Sequence, residues 1–179
     1  MILVQLTGLS GAGKSTLANL VSERLSLQSI RVEVLDGDIF RNSPICRGLG
    51  FSIEDRITNL ERLFYIGTIL VRHDVVVIIA AINPFEELRL KFAAFSERVK
   101  TVWINCDMDT LVKRDTKGFY KRAILSDENK EKVSNFTGIS SPYENPVHPD
   151  LVIETSLLSV SESADKLYEF ILTEINKLK

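Results

Sequence analysis

The sequence has 179 residues, of which 45% are hydrophobic and 26% are charged, and its formal net charge is −2. This length suits one domain with a sizeable apolar core, and a near-neutral chain without a basic run lacks the electrostatic footprint of a nucleic-acid-binding protein. The longest apolar run, DVVVIIAAI, is too short to cross a bilayer, so neither nucleic acid nor membrane is expected as a partner.

Short apolar runs alternate with helical patterns along the chain, beginning with a strand and not with a targeting segment. Strands are predicted at Ile2–Leu6, Val32–Leu35, Val75–Ala81, Thr101–Asn105 and Leu151–Thr155. Helices are predicted from Lys14, from Ser52 (with Asp55 in a capping-box position), from Pro84, and at the C-terminus with Leu167, Phe170, Ile171, Ile175 and Leu178 on one face.

This βαβα alternation predicts an α/β fold in three layers, with a mostly parallel five-stranded sheet and helices on both faces. One domain over residues 1–179 is expected, since no second core is evident. Residues 117–149 are the exception, being rich in charge, Asn, Ser and Pro without a sustained period. So long a segment is either a mobile lid or disorder, and we interpret it as a lid.

The segment between the first strand and the first helix carries the main chemical signal. Gly8 to Ser15, GLSGAGKS, match the G-x-x-x-x-G-K-[ST] phosphate-binding loop with a strand before it and a helix after it. Its glycines turn backbone N–H groups inward around phosphates, Lys14 reaches the terminal phosphates as a catalytic cation, and the Ser15 hydroxyl can ligate Mg²⁺. The predicted ATP-binding residues here are Gly8, Ser10, Gly11, Ala12, Gly13, Lys14, Ser15 and Thr16.

Two absences narrow the class of nucleotide-binding protein. The run NCDM at Asn105 lacks the Lys and the final Asp of a guanine-reading motif, and the third strand is followed by Ile82 and Asn83 where ATPases place a magnesium carboxylate. These features favour a small-molecule kinase with the P-loop kinase fold, using ATP and Mg²⁺.

The second strand supplies the acid that such a kinase needs. In VLDGDIFR, Asp36 and Asp38 lie just past the end of the strand, where ligands collect in open α/β sheets. We favour Asp38, which is nearer to Arg41, as the catalytic base and a magnesium contact beside Ser15, although the choice of the aspartate that touches Mg²⁺ stays open. The alternative is that DGD is only a turn.

Several further motifs together resemble the adenylylsulfate kinases over Ile2 to about Thr155. They are GLSGAGKST, LDGD followed by Arg41, LGFSIEDRITNLERL, AAINPF, RDTKGFYKRA and NFTGISSPYENPVHPDLVIET. The resemblance implies ATP-dependent phosphorylation of the 3′-hydroxyl of adenosine 5′-phosphosulfate, giving 3′-phosphoadenosine 5′-phosphosulfate and ADP. It also implies a homodimer, and it leaves open whether a sulfurylase partner exists.

The resemblance assigns the remaining site residues. Phe51 and Phe136 would enclose the adenine, Arg56 and Asn59 would grip the phosphosulfate and ribose, and Lys117 would be a catalytic cation at the lid hinge. Arg114 and Thr155 would join the ATP side. The implied substrate-binding residues are Asp36, Arg41, Phe51, Arg56, Asn59, Ile82, Asn83, Lys117 and Phe136.

Two departures from the family pattern leave open which compound accepts the phosphoryl group and whether the protein is catalytic. Many members have a phosphorylatable Ser where this chain has Asn83, so transfer here would be direct, and the link after Ala123 is longer than usual. One alternative is the same transfer onto a related nucleotide anhydride, such as a cytidine diphosphoramidate. The other is a non-catalytic nucleotide-binding module. The lone cysteines, Cys46 and Cys106, lack metal-site spacing and favour free thiols in a cytoplasmic protein.

Overall fold

The computed structural model describes residues 1–115, 118–126 and 128–178. The strands are β1 (Leu3–Thr7), β2 (Val32–Asp36), β3 (Val76–Ala80), β4 (Val99–Asn105) and β5 (Leu151–Glu154). The α-helices are α1 (Lys14–Leu27), α2 (Gly37–Arg41), α3 (Ile53–Arg72), α4 (Glu86–Ala93), α5 (Met108–Arg114), α6 (Phe119–Ala123) and α7 (Val160–Lys177), with a 3₁₀ helix at Pro44–Cys46.

The five strands form one sheet in the order β2-β3-β1-β4-β5, and every pairing is parallel. β1 is central, with Val4 opposite Ile78 on one side and Lys100 on the other. The predicted α/β fold with a five-stranded parallel sheet is confirmed. Its carboxyl edge brings together the loops after β1, β2 and β3.

Alternate side chains of the strands serve two separate apolar layers. Val4 and Leu6 belong to a core cluster with residues of α1 and α7, whereas Leu3 packs in a second cluster with residues of α3 and α4. Because side chains point to opposite faces along a strand, this division places helices on both faces, as predicted.

Element boundaries differ from the sequence expectations where local patterns are short. α4 begins at Glu86 instead of Pro84, because Phe85 is extended (φ −104°, ψ 122°) and serves as the N-cap. The five- to seven-residue helices α2, α5 and α6 were not predicted, since such lengths are too short to show a helical period. Helix α6 lies within the 117–149 segment, which is therefore not wholly irregular.

Capping groups fix the start of the long helix α3. Ser52 Oγ accepts from the Asp55 amide at 3.1 Å, and its hydroxyl donates to Asp55 Oδ2 at 2.8 Å. This pairing satisfies one of the amides that a helix start leaves without a partner. The first two turns of α3, which carry Arg56 and Asn59, lie at the cleft.

Both cysteines are free, as predicted, and both are buried. Across the part of the chain that the structure describes, every helix is too short or too polar to traverse a bilayer.

Candidate active site

A cleft of about 450 Å³ opens at the carboxyl edge of the sheet. Its wall combines the loop after β1, the turn after β2, the start of α3 and the segment after β3. The predicted site residues that line it are Ser10, Gly11, Gly13, Lys14, Ser15, Thr16, Asp36, Asp38, Arg41, Phe51, Arg56, Asn59, Ile82, Asn83 and Arg114.

The loop between β1 and α1 has the backbone of a phosphate cradle. Gly8 and Gly13 have φ of +150° and +102°, which side chains rarely tolerate. A Cβ at Gly8 would come within 2.3 Å of Ile104 O, so the loop depends on glycine there. Lys14 is 8% exposed and donates to Gly8 O and Leu9 O, both at 2.8 Å. Its ammonium therefore lies over the loop whose amides would surround the phosphates.

Two predicted ATP-side residues support this loop from the other half of the sheet. Thr155 Oγ1 donates to Ala12 O at 3.0 Å and to Asn105 O at 3.1 Å, and the residue is 6% exposed. Arg114 Nη2 donates to Thr155 O at 2.7 Å, while Arg114 itself lines the cleft. Thr155 thus acts on the loop through Ala12, and direct contact of either residue with a nucleotide remains a prediction.

The two aspartates after β2 have different surroundings. Asp36 is the last residue of β2, not a residue beyond it, and its Oδ1 accepts from the amides of Asp38 and Ile39 at 2.8 and 3.1 Å. Its Oδ2 accepts from the Ser15 hydroxyl. Asp38 is exposed in the first turn of α2. The structure therefore places Asp36 on the predicted magnesium-ligating hydroxyl.

Arg41 and Phe51 form a cationic and aromatic wall opposite the phosphate loop. The Arg41 guanidinium lies 4.7 Å from the centre of the Phe51 ring, and its Nη1 donates to Gly50 O at 2.7 Å. Phe51 is 60% exposed, so its ring can meet a ligand. Burial lowers the pKa of the Arg41 guanidinium, and an anion bound beside it would offset that cost.

Arg56 and Asn59 lie one turn apart on α3, and both are buried. Arg56 donates through Nε to Phe51 O at 3.1 Å, through Nη1 to Thr137 Oγ1 and through Nη2 to Asn135 O. Burial, together with the charge of Arg41, lowers the pKa of Arg56. The guanidinium thus joins the acceptor side of the cleft to the 135–137 segment.

Phe136 does not line the cleft beside Phe51. It is 8% exposed in the core, with its ring centre 4.9 Å from that of Tyr120 in an edge-on contact and 6.1 Å from that of Phe119. Sequence could not anticipate this placement, because an apolar ring fits a core and a base-stacking platform equally well. The enclosure of adenine between the two rings stays a prediction.

The floor of the cleft is the turn after β3. Asn83 is 3% exposed with φ +45°, and its Nδ2 donates to Gln5 Oε1 at 2.9 Å. Thr7 Oγ1 donates to Ile82 O at 2.9 Å and to Asn83 O at 3.0 Å. Because both carbonyls can only accept, the Tyr143 hydroxyl, 3.0 Å from Thr7 Oγ1, is the donor to Thr7.

Sequence reasoning missed the arginine that holds this turn. Arg89 is 1% exposed and donates through Nη1 to Asn83 O at 2.6 Å, through Nη2 to Glu144 O at 2.5 Å, and through Nε to Glu86 Oε2 at 2.8 Å. Its guanidinium lies 5.9 Å from the centre of the Tyr143 ring. The available signal was a charged residue three positions before Phe92, on the side of a predicted helix that Phe92 buries.

A tyrosine on α6 links the 117–149 segment to the phosphate loop. The Tyr120 hydroxyl donates to Ser10 O at 2.8 Å, and burial raises the pKa of Tyr120 to about 12. This hydroxyl was not among the predicted site residues. Lys117, the predicted catalytic cation of the same segment, lies outside the described residues.

A glycine-rich phosphate cradle, facing cationic and aromatic side chains across one cleft of a parallel sheet, defines a P-loop kinase that acts on a small molecule. The family model for adenylylsulphate kinase matches residues 1–154. The chain belongs to the adenylylsulphate kinase family, and it is a kinase.

Three similar proteins illustrate the extent of the match. The adenylyl-sulfate kinase of Chloroflexus aurantiacus is 42% identical over 166 residues, which cover 93% of this chain and 86% of that protein. The Mycobacterium tuberculosis APS kinase, solved in complex with AMPPNP and APS, superposes with a TM-score of 0.86 at 35% identity, covering 95% of this chain and 96% of that one. A hexameric APS kinase from Thiobacillus denitrificans superposes with a TM-score of 0.66 at 27% identity, covering 98% of this chain and 29% of that one.

Proposed function

We propose that the protein transfers the γ-phosphoryl group of ATP to the 3′-hydroxyl of adenosine 5′-phosphosulfate, which activates sulfate. In this step the 3′-oxygen forms a bond to the γ-phosphorus, the bond from that phosphorus to the β–γ bridging oxygen breaks, and ADP leaves. The observation that carries the proposal is that the same cleft joins the phosphate loop at Lys14 to the Arg41 and Phe51 wall.

The donor side fits a magnesium nucleotide. The positive-φ glycines leave the loop amides free to turn inward, and the hydroxyl of Ser15 and the carboxylate of Asp36 are oxygen donors of the type that Mg²⁺ prefers. When bound, MgATP supplies the phosphoryl group and neutralises charge on it. Lys14 adds a fixed positive charge where negative charge spreads during transfer, and Arg114 lies on the same wall.

The acceptor side positions the attacking hydroxyl. Arg41, Arg56 and Asn59 offer donors for the phosphosulfate and ribose, and Phe51 offers an exposed face for the base. Asp38 accepts the hydroxyl proton, with Arg41 nearby to stabilise its charge. Asn83 has no hydroxyl to phosphorylate, so transfer is direct.

The 117–149 segment acts as a lid of a single kinase domain in this proposal. Tyr120 and Arg56 support it, because their contacts join the segment to the phosphate loop and to α3. Closure would exclude water from the phosphoryl group, and Lys117 would contribute its charge from the lid hinge.

A coupled ADP-release assay tests the function. Wild-type protein with MgATP is expected to turn over adenosine 5′-phosphosulfate in preference to a cytidine diphosphoramidate. Asp38→Asn is expected to lower kcat by roughly 10²- to 10⁴-fold, because it removes the general base. Asp74→Asn, which changes a residue two positions before the start of β3 at the opposite edge of the sheet, is the matched control and should keep wild-type kcat.

The outcomes separate the alternatives. Turnover of the diphosphoramidate alone would show that it, and not adenosine 5′-phosphosulfate, accepts the phosphoryl group. Nucleotide binding without turnover of either compound would indicate a non-catalytic module. Unchanged kcat in Asp38→Asn would remove Asp38 from the mechanism.

We also propose that the protein is a homodimer in the cytoplasm. The hexameric Thiobacillus denitrificans structure supports self-association in the family, and the buried free thiols of Cys46 and Cys106 support a reducing compartment. Light scattering on the purified chain should give twice the monomer mass of 20.2 kDa, and a monomeric mass would contradict the dimer.

A further inference from the structure

A buried glutamine of β1 fixes the orientation of the Asn83 amide. Gln5 Nε2 donates to Arg89 O at 3.0 Å and to Thr101 Oγ1 at 2.8 Å. Because a backbone carbonyl can only accept, the Gln5 amide has one possible orientation, which directs Oε1 toward Asn83. Oε1 can also only accept, so Asn83 must offer Nδ2 to it, at 2.9 Å. The amide of Asn83 therefore cannot flip without breaking this chain of bonds.

This fixed orientation determines which atom of the Asn83 amide remains available as a hydrogen-bond acceptor. Asn83 lines the cleft, and its Oδ1 is buried without a hydrogen-bond partner among the described residues. Buried polar atoms in folded proteins are almost always paired, and an acceptor without a donor is destabilising. A left-handed backbone at φ +45° adds to the constraint on this residue. An oriented oxygen without a partner, on a residue that lines a binding cleft, points to a ligand that brings the donor.

The second asparagine of the cleft has the opposite polarity. The Cys46 thiol donates to Asn59 Oδ1 at 3.1 Å, so Nδ2 is the group of Asn59 that can donate to a ligand oxygen. Asn59 therefore suits an anionic group, whereas Asn83 Oδ1 repels one. The two amides can therefore orient a substrate that carries an anionic group at one end and a neutral hydrogen-bond donor at the other.

We propose that Asn83 is a specificity-determining residue whose Oδ1 accepts a hydrogen bond from the acceptor nucleotide, which must present a hydroxyl or amino group there. This inference rests on the proposed function. Two groups of adenosine 5′-phosphosulfate have the required chemistry besides the reacting hydroxyl, namely the ribose 2′-hydroxyl and the 6-amino group of adenine. The proposal requires one neutral donor, and the experiment identifies which.

Calorimetry on the full chain in the presence of ADP can compare three probes. These are adenosine 5′-phosphosulfate, its 2′-deoxy analogue and its 6-oxo analogue. Wild-type protein is expected to bind one analogue about 3- to 10-fold more weakly than the parent compound, since one neutral hydrogen bond is lost. Asn83→Gly, chosen because glycine adopts the positive φ without strain, is expected to bind that analogue and the parent compound equally.

Two other variants complete the design. Asp74→Gly also introduces glycine at a positive-φ residue (φ +59°), but away from the cleft, and it should keep the wild-type ratio. Gln5→Leu keeps Asn83 but removes the acceptor that orients its amide, so the ratio should fall toward one. This variant also carries the test if Asn83→Gly does not fold.

Two results would overturn the inference. One is a wild-type protein that binds both analogues as tightly as the parent compound. The other is an equal loss for the analogue in wild type and in Asn83→Gly. Failure of the proposed function is distinct, because it appears as an absence of phosphosulfate turnover by the wild-type enzyme.

Discussion

Asp36 and Asp38 are separated by one glycine, yet their side chains have different surroundings. Asp36 connects two helices, because its Oδ1 accepts hydrogen bonds from amides of α2 and its Oδ2 accepts one from the hydroxyl of Ser15 in α1. Asp38 extends from the first turn of α2 and is exposed. The DGD pattern could locate both carboxylates at the sheet edge, but it could not divide their roles, because the division depends on contact with Ser15 across 21 residues.

Asp36→Asn should separate structure from chemistry at this position. An asparagine keeps the oxygen that caps α2, so the free energy of unfolding should change by less than about 0.5 kcal/mol. Loss of the negative charge beside Ser15 should raise the Mg²⁺ concentration for half-maximal activity by about tenfold. Urea unfolding and a magnesium titration of kcat measure the two effects.

Asp38→Asn is the matched comparison, and it should lower kcat while leaving the magnesium midpoint unchanged. If Asp38→Asn instead shifts the magnesium midpoint and Asp36→Asn does not, the assignment of metal and base between the two aspartates is reversed.

At the scale of elements, the sequence predicted the strands and the long helices, because their patterns extend over several residues. It did not predict the short helices or the contacts between residues that are distant in the chain. The strands could be predicted from apolar runs, and α1, α3 and α7 from sustained helical periods. The short helices α2, α5 and α6 have no such period. The contact of Arg89 with Glu144 joins positions 55 residues apart, so no local pattern could reveal this second contact of the arginine that holds Asn83 O.

A second long-range contact fastens α7 to the sheet. Glu174, which is 7% exposed, has Oε1 at 2.6 Å from Lys177 Nζ and Oε2 at 3.0 Å from Lys100 Nζ of β4. The pKa of Glu174 lies below its ordinary value of 4.5, mainly because Lys177 donates a hydrogen bond to its carboxylate. Lys100 lowers this pKa further, whereas burial opposes the shift. A lowered folded-state pKa stabilises the fold above that ordinary value, and the contribution is lost as the pH falls through the folded pKa.

Glu174→Gln should therefore destabilise the protein by about 1 kcal/mol at pH 7 and by progressively less below about pH 4.5, because the wild-type carboxylate is then protonated too. Urea unfolding at pH 7 and pH 3 measures the difference. Glu169→Gln, on an exposed position of the same helix, should have little effect at either pH. An equal destabilisation by Glu174→Gln at both pH values would show that its charge does not matter.

At the scale of the whole molecule, contacts of the 117–149 segment connect the two halves of the cleft. Tyr120 holds Ser10 of the phosphate loop, Phe136 packs on Tyr120, and Arg56 of α3 binds the residues on either side of Phe136. The phosphate loop and most of the cleft lining could be predicted because motifs carry them. The position of Phe136 could not, since it depends on how the whole segment packs.

Paired leucine substitutions distinguish a structural ring from a substrate-binding ring. Phe51 is 60% exposed, so Phe51→Leu should leave the free energy of unfolding unchanged but raise KM for the acceptor about 5- to 10-fold through lost stacking. Phe136 is 8% exposed against Tyr120, so Phe136→Leu should cost about 1 kcal/mol of stability through poorer packing. Because Tyr120 also holds the phosphate loop, Phe136→Leu should raise KM for ATP as well as for the acceptor. Urea unfolding and two-substrate kinetics on both variants provide the comparison. If Phe136→Leu keeps wild-type stability and raises only the acceptor KM, as Phe51→Leu does, then Phe136 leaves the core in the working enzyme and the two rings enclose the base together.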